Sequence, residues 1–179
     1  MNQLLFLKSF ANSGGDWVIY LLIVASVWSV AVIIERFVVI ARQQSQQGLW
    51  EKDIAIILRK TPRQSRDQEL QIQLDLMKRK LEKRLLVLGT LGNNAPFIGL
   101  LGTVLGVIRA FHDLASTAGS PEVVMQGLSE ALIATAVGIL VAIPCVASYN
   151  YLQKRIRDLL SDLDHIGKRA IALVEEGAR

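Results

Sequence analysis

Three long apolar stretches alternate with two charged blocks along the chain. The first stretch begins at Trp17 and ends before Glu35, the second covers 85–108, and the third covers 123–149. Each holds at least 18 residues, and an α-helix needs about 20 to cross the hydrocarbon core of a bilayer. The pattern therefore predicts an all-α membrane protein with three transmembrane helices.

The changes in polarity divide the chain into seven predicted segments. We expect an amphipathic segment at 1–16, spans at 17–41, 85–110 and 122–151, a polar loop with helices at 42–84, a hairpin at 111–121, and a helical tail at 152–179. The first segment does not resemble a cleavable signal, since its apolar run is short and its charge, Lys8, follows that run. It is expected to lie at the membrane surface.

Both charged blocks carry apolar stripes with helical spacing. Leu70, Leu74, Met77 and Leu81 step by four, three and four, and a heptad pattern runs from Leu152 to Leu173 in the tail. The stripes predict that spans two and three continue as long helices into the polar segments. Two arrangements remain open: the stripes pack on each other within one chain, or they join neighbouring copies.

Basic residues are distributed unevenly between the connecting segments. The 42–84 loop holds eleven Lys and Arg, the 111–121 hairpin holds none, and a second basic block starts at Lys154. Cytoplasmic loops of membrane proteins are enriched in Lys and Arg. The distribution predicts a periplasmic N-terminus and hairpin, with the loop and tail in the cytoplasm.

The composition argues against an enzyme or a nucleic-acid-binding protein. Hydrophobic residues make up 51% of the chain, and its net charge of +4 follows from membrane topology. Cys145 is the only cysteine, so no internal disulfide or CxxC motif exists, and the two histidines lie far apart in sequence. The sequence contains no phosphate-binding loop and no nucleophile–base pattern. We expect no cofactor, no metal and no catalysis.

Glu130 is the one carboxylate inside the third stretch. Exposing an acid to lipid costs about 2.5 kcal/mol or more, so such groups face a protein interior or a wet cavity and commonly mark an ion path. Counting from the hairpin predicts Thr103 and Glu130 at one depth, about 12–15 Å from the outer helix ends, with Thr135 about 7–8 Å deeper. These three residues form a candidate proton pathway, which needs a partner chain with another ionisable group.

Structural roles for the same residues remain open. Glu130 could be a hydrogen-bonding strut that only fixes helix packing, and each threonine could bond its own backbone carbonyl four residues earlier. Small residues along the second span favour close helix contact. The positions expected to govern helix packing are Gly99, Gly102, Gly106 and Pro144, and Pro96 predicts a kink.

The segments APFIGLLGTVLGVIRAF and SEALIATAVGILVAIPCVASYNY closely resemble the ExbB/TolQ family of proton-channel motor subunits, distant relatives of MotA. The resemblance covers roughly residues 93–151. It implies a homopentamer in the bacterial inner membrane around a dimer of an ExbD- or TolR-like single-span subunit, driven by the proton motive force and acting on a TonB- or TolA-like transducer. It places the family's membrane glutamate at Glu130 and its polar-path threonines at Thr103 and Thr135. The partner's aspartate would supply the missing relay group.

Some features separate subtypes within that resemblance. Leu105 occupies a position where Trp is common in the family, and the 42–84 loop is shorter than in the best-known members. Glu130 argues against a flagellar stator, and the residues Ala95 to Phe97 favour an ExbB-like protein for outer-membrane import. The alternatives are a TolQ-like subunit for envelope maintenance and a purely structural scaffold for a single-span partner. The shortage of other membrane carboxylates favours H⁺ over Na⁺.

Overall fold

The computed structural model describes residues 16–45, 47–116 and 121–176, and these residues are almost entirely helical. Their α-helices are α1 (Asp16–Ser45), α2 (Gln47–Lys60), α3 (Arg66–Glu82), α4 (Leu85–Ser116) and α5 (Pro121–Glu176), with a 3₁₀ turn at Arg63–Ser65 before α3. No strand occurs within these ranges. The predicted amphipathic segment at 1–16 lies outside the described residues except for its last position, Asp16.

Three helices in the described part of the chain are long and apolar enough to cross a membrane. They cover Trp17–Gln43 in α1, Leu85–Ala115 in α4 and Pro121–Leu173 in α5. The prediction of an all-α protein with three membrane-capable helices is confirmed.

The connection between the second and third spans is shorter than predicted. The hairpin was expected at 111–121, whereas α4 continues to Ser116 and α5 begins at Pro121. Proline suits the first position of a helix because its fixed φ is already helical and its missing N–H would have no helical acceptor there. This shift in both helix ends changes the alignment of α4 against α5.

The junction before the second span is a break and not a continuous helix. The backbone leaves the helix at Lys83 (φ −52°, ψ 131°), and Arg84 follows in the left-handed region with φ 66°. Neither conformation can propagate an α-helix. The prediction that the stripe ending at Leu81 continues as one helix into the second span is therefore wrong. For the third span it holds, because α5 continues through Pro144 into the tail.

The structure divides into two compact units, and the first contains the described residues 16–32 together with 87–148. Here the start of α1 packs against α4 and the first part of α5. The buried residues of this core are Val18, Leu22, Ala95, Leu105, Val141, Ala142 and Cys145. The partly buried Trp17, Leu91, Ile98 and Val137 pack around them.

The second unit contains the described residues of 33–86 and 149–176. The stripe of α3 and that of the tail are both buried in it: Leu70, Leu74, Met77, Leu81, Leu152, Ile156, Leu159 and Leu163. The Gln71 amide donates a hydrogen bond to Asp164 Oδ1 (3.1 Å), and a Cβ on Gly167 would lie 2.8 Å from Leu70 Cδ2. The two stripes therefore pack on each other within one chain, which is the first of the two arrangements left open by the sequence.

Candidate functional site

Two threonine hydroxyls meet at the contact between α4 and α5. Thr103 Oγ1 and Thr135 Oγ1 are hydrogen-bonded to each other. The Thr103 hydroxyl also lies 3.2 Å from the Ala131 carbonyl and 3.3 Å from the Gly99 carbonyl, and the Thr135 hydroxyl lies 3.1 Å from the same Gly99 carbonyl. Each hydroxyl has one proton and two lone pairs. The two hydroxyl protons thus have several alternative acceptors, so the hydrogen bonds can rearrange. We call Thr103 and Thr135 the hydroxyl pair.

The hydroxyl pair bonds across the two helices, and not only to the backbone carbonyl four residues earlier as is common for threonines in membrane spans. Thr103 does have its own i−4 carbonyl, that of Gly99, within range. Thr135 instead reaches across to that carbonyl in the other helix. The Gly99 carbonyl thereby links both side chains, and the contact depends on both helices being in place.

Glycine at position 99 makes the close approach possible. A Cβ there would lie 2.8 Å from the Ala134 carbonyl oxygen and 3.0 Å from Thr135 Cα. On the opposite helix, a Cβ on Gly138 would lie 2.7 Å from the Ala95 carbonyl oxygen. Because these obstacles are backbone atoms, a side chain at either position would force the helices apart. Pro144, by contrast, lies exposed in α5.

Glu130 lies in a different place, a groove of about 210 Å³ between α1, α4 and α5. We call this the Glu130 groove. Its lining residues are Ile19, Gly102, Gly106, Arg109, Ala110, Asp113, Val123, Gln126, Gly127, Glu130, Ala131 and Ala134. Thr103 and Thr135 do not line it. The structure therefore brings the two threonines together but places Glu130 apart from them, with its side chain exposed to the groove.

The relative depths also differ from those counted along the sequence. The glycine contacts align Gly106 with Ala131 and Gly102 with Ala134. Since Ala131 follows Glu130 directly and the two helices are antiparallel, Glu130 is level with Val107, and Thr103 lies about 6 Å deeper. The expectation that Thr103 and Glu130 share one depth is wrong, because it was counted from a hairpin that is shorter in the structure. Thr103 is level with Thr135 instead.

Three polar residues of the groove were missed by sequence reasoning. Arg109 Nε lies 3.9 Å from Asp113 Oδ2, and Gln126 precedes Glu130 by four residues and so lies on the same face of α5. Arg109 follows Gly106 by three residues, which places it on the glycine face of α4. That spacing is visible in the sequence.

The Glu35–Arg36 pair, near the end of the first apolar run, takes part in a separate ion cluster in the second unit. Glu35 Oε1 accepts a hydrogen bond from Arg36 (2.7 Å), and Glu35 Oε2 accepts one from Arg84. Arg36 is only 5% exposed. This cluster ties α1 to the break before α4, so it is a structural feature of the second unit.

Metal-ligating side chains do not converge in the described part of the chain. No group of three or more His, Cys, Asp or Glu residues is arranged to hold a metal ion there. The single cysteine, Cys145, is a free buried thiol in the core of the first unit. The polar groups at the site are the Glu130 carboxylate, the Arg109–Asp113 ion pair, the Gln126 amide and the hydroxyl pair.

Comparison with known proteins identifies a family over most of the chain and individual relatives over about half of it. Residues 33–165 match the model of the MotA/TolQ/ExbB proton channel family. The putative biopolymer transport protein ExbB-like 2 of Helicobacter pylori is 46% identical over 92 residues, 49% of this chain and 61% of that protein. The biopolymer transport protein ExbB of Aquifex aeolicus is 41% identical over 91 residues, 50% of this chain and 62% of that protein.

The chain is also similar to proteins named TolQ. The Tol-Pal system protein TolQ of Pseudomonas aeruginosa is 38% identical over 92 residues, which are 51% of this chain and 40% of that protein. The matched stretches thus span about three fifths of the ExbB proteins named above and less of TolQ. The resemblance derived from the motifs is confirmed at the level of the family. From its three membrane-capable helices and the match over 33–165, the chain belongs to the MotA/TolQ/ExbB proton channel family.

Proposed function

We propose that this chain is the channel subunit of an ExbB-type motor, which converts the proton motive force into mechanical work. The observation that carries the proposal is the location of Glu130, a carboxylate at the membrane-spanning part of α5, in a groove about one helical turn from the hydroxyl pair. An ionisable group at such a depth is costly and serves an ion path by default. Family membership supports the same function.

The proposed chemistry is reversible protonation of Glu130. The carboxylate accepts a proton from water and later releases it, and the hydroxyls of Thr103 and Thr135 can pass hydrogen bonds between donors and acceptors on the other face of the contact. One carboxylate and two hydroxyls do not complete a path. An ExbD- or TolR-like single-span partner with a membrane aspartate would supply the remaining group, inside a homopentamer of this chain.

The proposed location is the bacterial inner membrane. The 42–84 loop and the tail, which hold most of the Lys and Arg, would face the cytoplasm, and the short connection between α4 and α5 would face the periplasm. In this orientation the polar end of the Glu130 groove opens toward the periplasm. The work would pass to a TonB-like transducer and so energise import across the outer membrane.

The test compares two variants of Glu130 in cells that depend on this chain for energised uptake. Glu130→Gln keeps size and hydrogen bonding but cannot ionise, and Glu130→Ala removes the group. Both are expected to abolish uptake while the complex extracted from membranes keeps the mass of the wild type. Glu122→Gln, at the start of α5 and outside the groove, is the matched control and should retain uptake. Normal uptake in Glu130→Gln would exclude a relay and favour a purely structural scaffold.

A TolQ-type role in envelope maintenance is the second candidate, and the similarity to TolQ of Pseudomonas aeruginosa favours it. The two roles differ in partner and phenotype. A strain lacking the chain would lose energised import in the first case and would leak periplasmic protein or become detergent-sensitive in the second. Co-purification of the single-span partner and transducer decides between them.

A further inference from the structure

The Glu130 groove has a polar half and an apolar half. The polar lining residues Arg109, Asp113 and Gln126 all lie between Glu130 and the ends where α4 finishes and α5 starts, which we call the hairpin side. On the other side of Glu130 the lining consists of Ile19, Gly102, Ala131 and Ala134. From Asp113 to Gly102 the groove follows α4 for about 16 Å. Its polar side chains thus extend inward to Glu130 and stop there.

The helix contact separates the groove from the hydroxyl pair. A Cβ on Gly106 would lie 2.6 Å from Ala131 Cβ, and one on Gly102 would lie 2.7 Å from Ala134 Cβ and 3.1 Å from Val18 Cγ1. These gaps are too narrow for a methyl group and therefore for a water molecule, which needs a site of its own size with polar partners. These two contacts therefore leave no room for water between the groove and Thr103.

We propose that the Glu130 groove is a hydrated access route through which Glu130 exchanges protons with the hairpin side of the membrane, separate from the hydroxyl pair. A hydronium ion in the groove transfers one proton to the Glu130 carboxylate, leaving neutral water and a carboxylic acid, and the reverse step returns the proton. Arg109, Asp113 and Gln126 supply the hydrogen-bonding partners that keep water at the outer half. Proton exchange as a step of transport rests on the proposed function, whereas water access to the groove does not.

Substituted-cysteine labelling in the intact complex, in native membranes, tests water access without reference to transport. A thiol reacts as its thiolate, which forms in water and is suppressed in apolar surroundings. Gln126→Cys and Glu130→Cys should react with a membrane-impermeant methanethiosulfonate added from the hairpin side. Leu132→Cys, on the opposite face of α5, should react about tenfold more slowly or not at all. The wild-type chain gives the background, since its only cysteine, Cys145, has no exposed surface.

Blocking the groove provides the second measurement. Gln126→Trp in the Glu130→Cys background should slow labelling about tenfold, because the indole occupies the outer half of the groove. Met125 is 68% exposed and does not line the groove, so Met125→Trp is the matched control and should leave labelling unchanged. In a chain with native Glu130, Gln126→Trp should reduce energised uptake and Met125→Trp should not.

The outcomes separate the two proposals. No labelling of Gln126→Cys and Glu130→Cys from the hairpin side, or equal labelling of Leu132→Cys, would overturn the access route. If Gln126→Trp blocks labelling and Glu130→Gln leaves uptake unchanged, the groove is hydrated but the proposed function is overturned. Blocked labelling together with lost uptake supports both.

Discussion

Thr103 and Thr135 share a hydrogen bond between their hydroxyls across the contact of α4 and α5. The Gly99 carbonyl lies within hydrogen-bonding distance of both side chains. The hydroxyl pair is therefore a property of the packed helix pair, and neither residue forms it alone. Glu130 lies on another side of the same contact, in the groove. A path that uses all three residues would need a further group between the groove and the hydroxyl pair, and this is the place we propose for the partner's aspartate.

Thr135→Val is expected to reduce proton-driven uptake about tenfold or more, equivalent to about 1.4 kcal/mol of activation free energy. Valine has nearly the shape of threonine but no hydroxyl, so the helix contact remains while the hydrogen-bond exchange is lost. Uptake assays at matched expression measure the effect. Thr135→Ser, which keeps the hydroxyl, is the control and should retain most of the activity. Equal activity of the two variants would show that uptake does not need the Thr135 hydroxyl.

Gly99→Ala is expected to destabilise the first unit by about 1–3 kcal/mol, because the new methyl group would press on backbone atoms of α5 that cannot rotate away. Thermal unfolding in detergent, followed by circular dichroism, measures this as a lower Tm. Gly48→Ala in α2 is the matched control. Nothing lies within 4 Å of a Cβ at that position, so alanine should stabilise the helix by about 0.5–1 kcal/mol. A Tm for Gly99→Ala at or above the wild type would contradict the close contact.

The number and order of the helices could be predicted from the sequence because three apolar runs separated by polar blocks have few alternative structures. The same information identified Glu130, the threonines and the small-residue face as candidates. It did not give the alignment of α4 against α5, since that depends on where each helix ends. Because α4 extends to Ser116, Thr103 is level with Thr135 in the structure and is not level with Glu130. Whether a side chain faces the groove or the hydroxyl pair depends also on its direction from the helix, which counting residues along the sequence does not give.

The break at Lys83–Arg84 was not predictable from local pattern for a related reason. The residues around Arg84 are good helix formers, and the stripe before them has helical spacing up to Leu81. The conformation of Arg84 is instead accompanied by a tertiary contact, its bond to Glu35 in α1. Helix propensity predicts the local backbone only weakly where tertiary contacts of this kind compete with it. Arg109 shows the opposite case, since its three-residue spacing from Gly106 is enough to place it on the glycine face of α4.

Leu159→Ala is expected to destabilise the second unit by about 2–5 kcal/mol, because Leu159 is 3% exposed within a single chain. Loss of the oligomer in such a variant would therefore follow from damage to the chain itself and would not by itself show that the stripe joins neighbouring copies. Leu173→Ala, at a position that is 62% exposed, should change stability by about 0.5 kcal/mol or less. Chemical denaturation of both variants, with the mass of the complex measured in parallel, distinguishes the two effects. A strong loss of oligomer with Leu173→Ala at unchanged chain stability would show that the end of the stripe contacts another copy.

Arg84 allows the backbone break to be tested separately from its ion pair. Both Arg84→Ala and Arg84→Gly remove the bond to Glu35. Alanine keeps the cost of a left-handed backbone, about 1 kcal/mol, whereas glycine adopts φ 66° without it. With the break present, Arg84→Gly should therefore be more stable than Arg84→Ala by about 1 kcal/mol. In a continuous helix the order would be reversed, because glycine is the poorer helix former by a similar amount. If α3 and α4 formed one continuous helix in the membrane, alanine would be the more stable variant, so the sign of the difference in Tm decides whether the break exists.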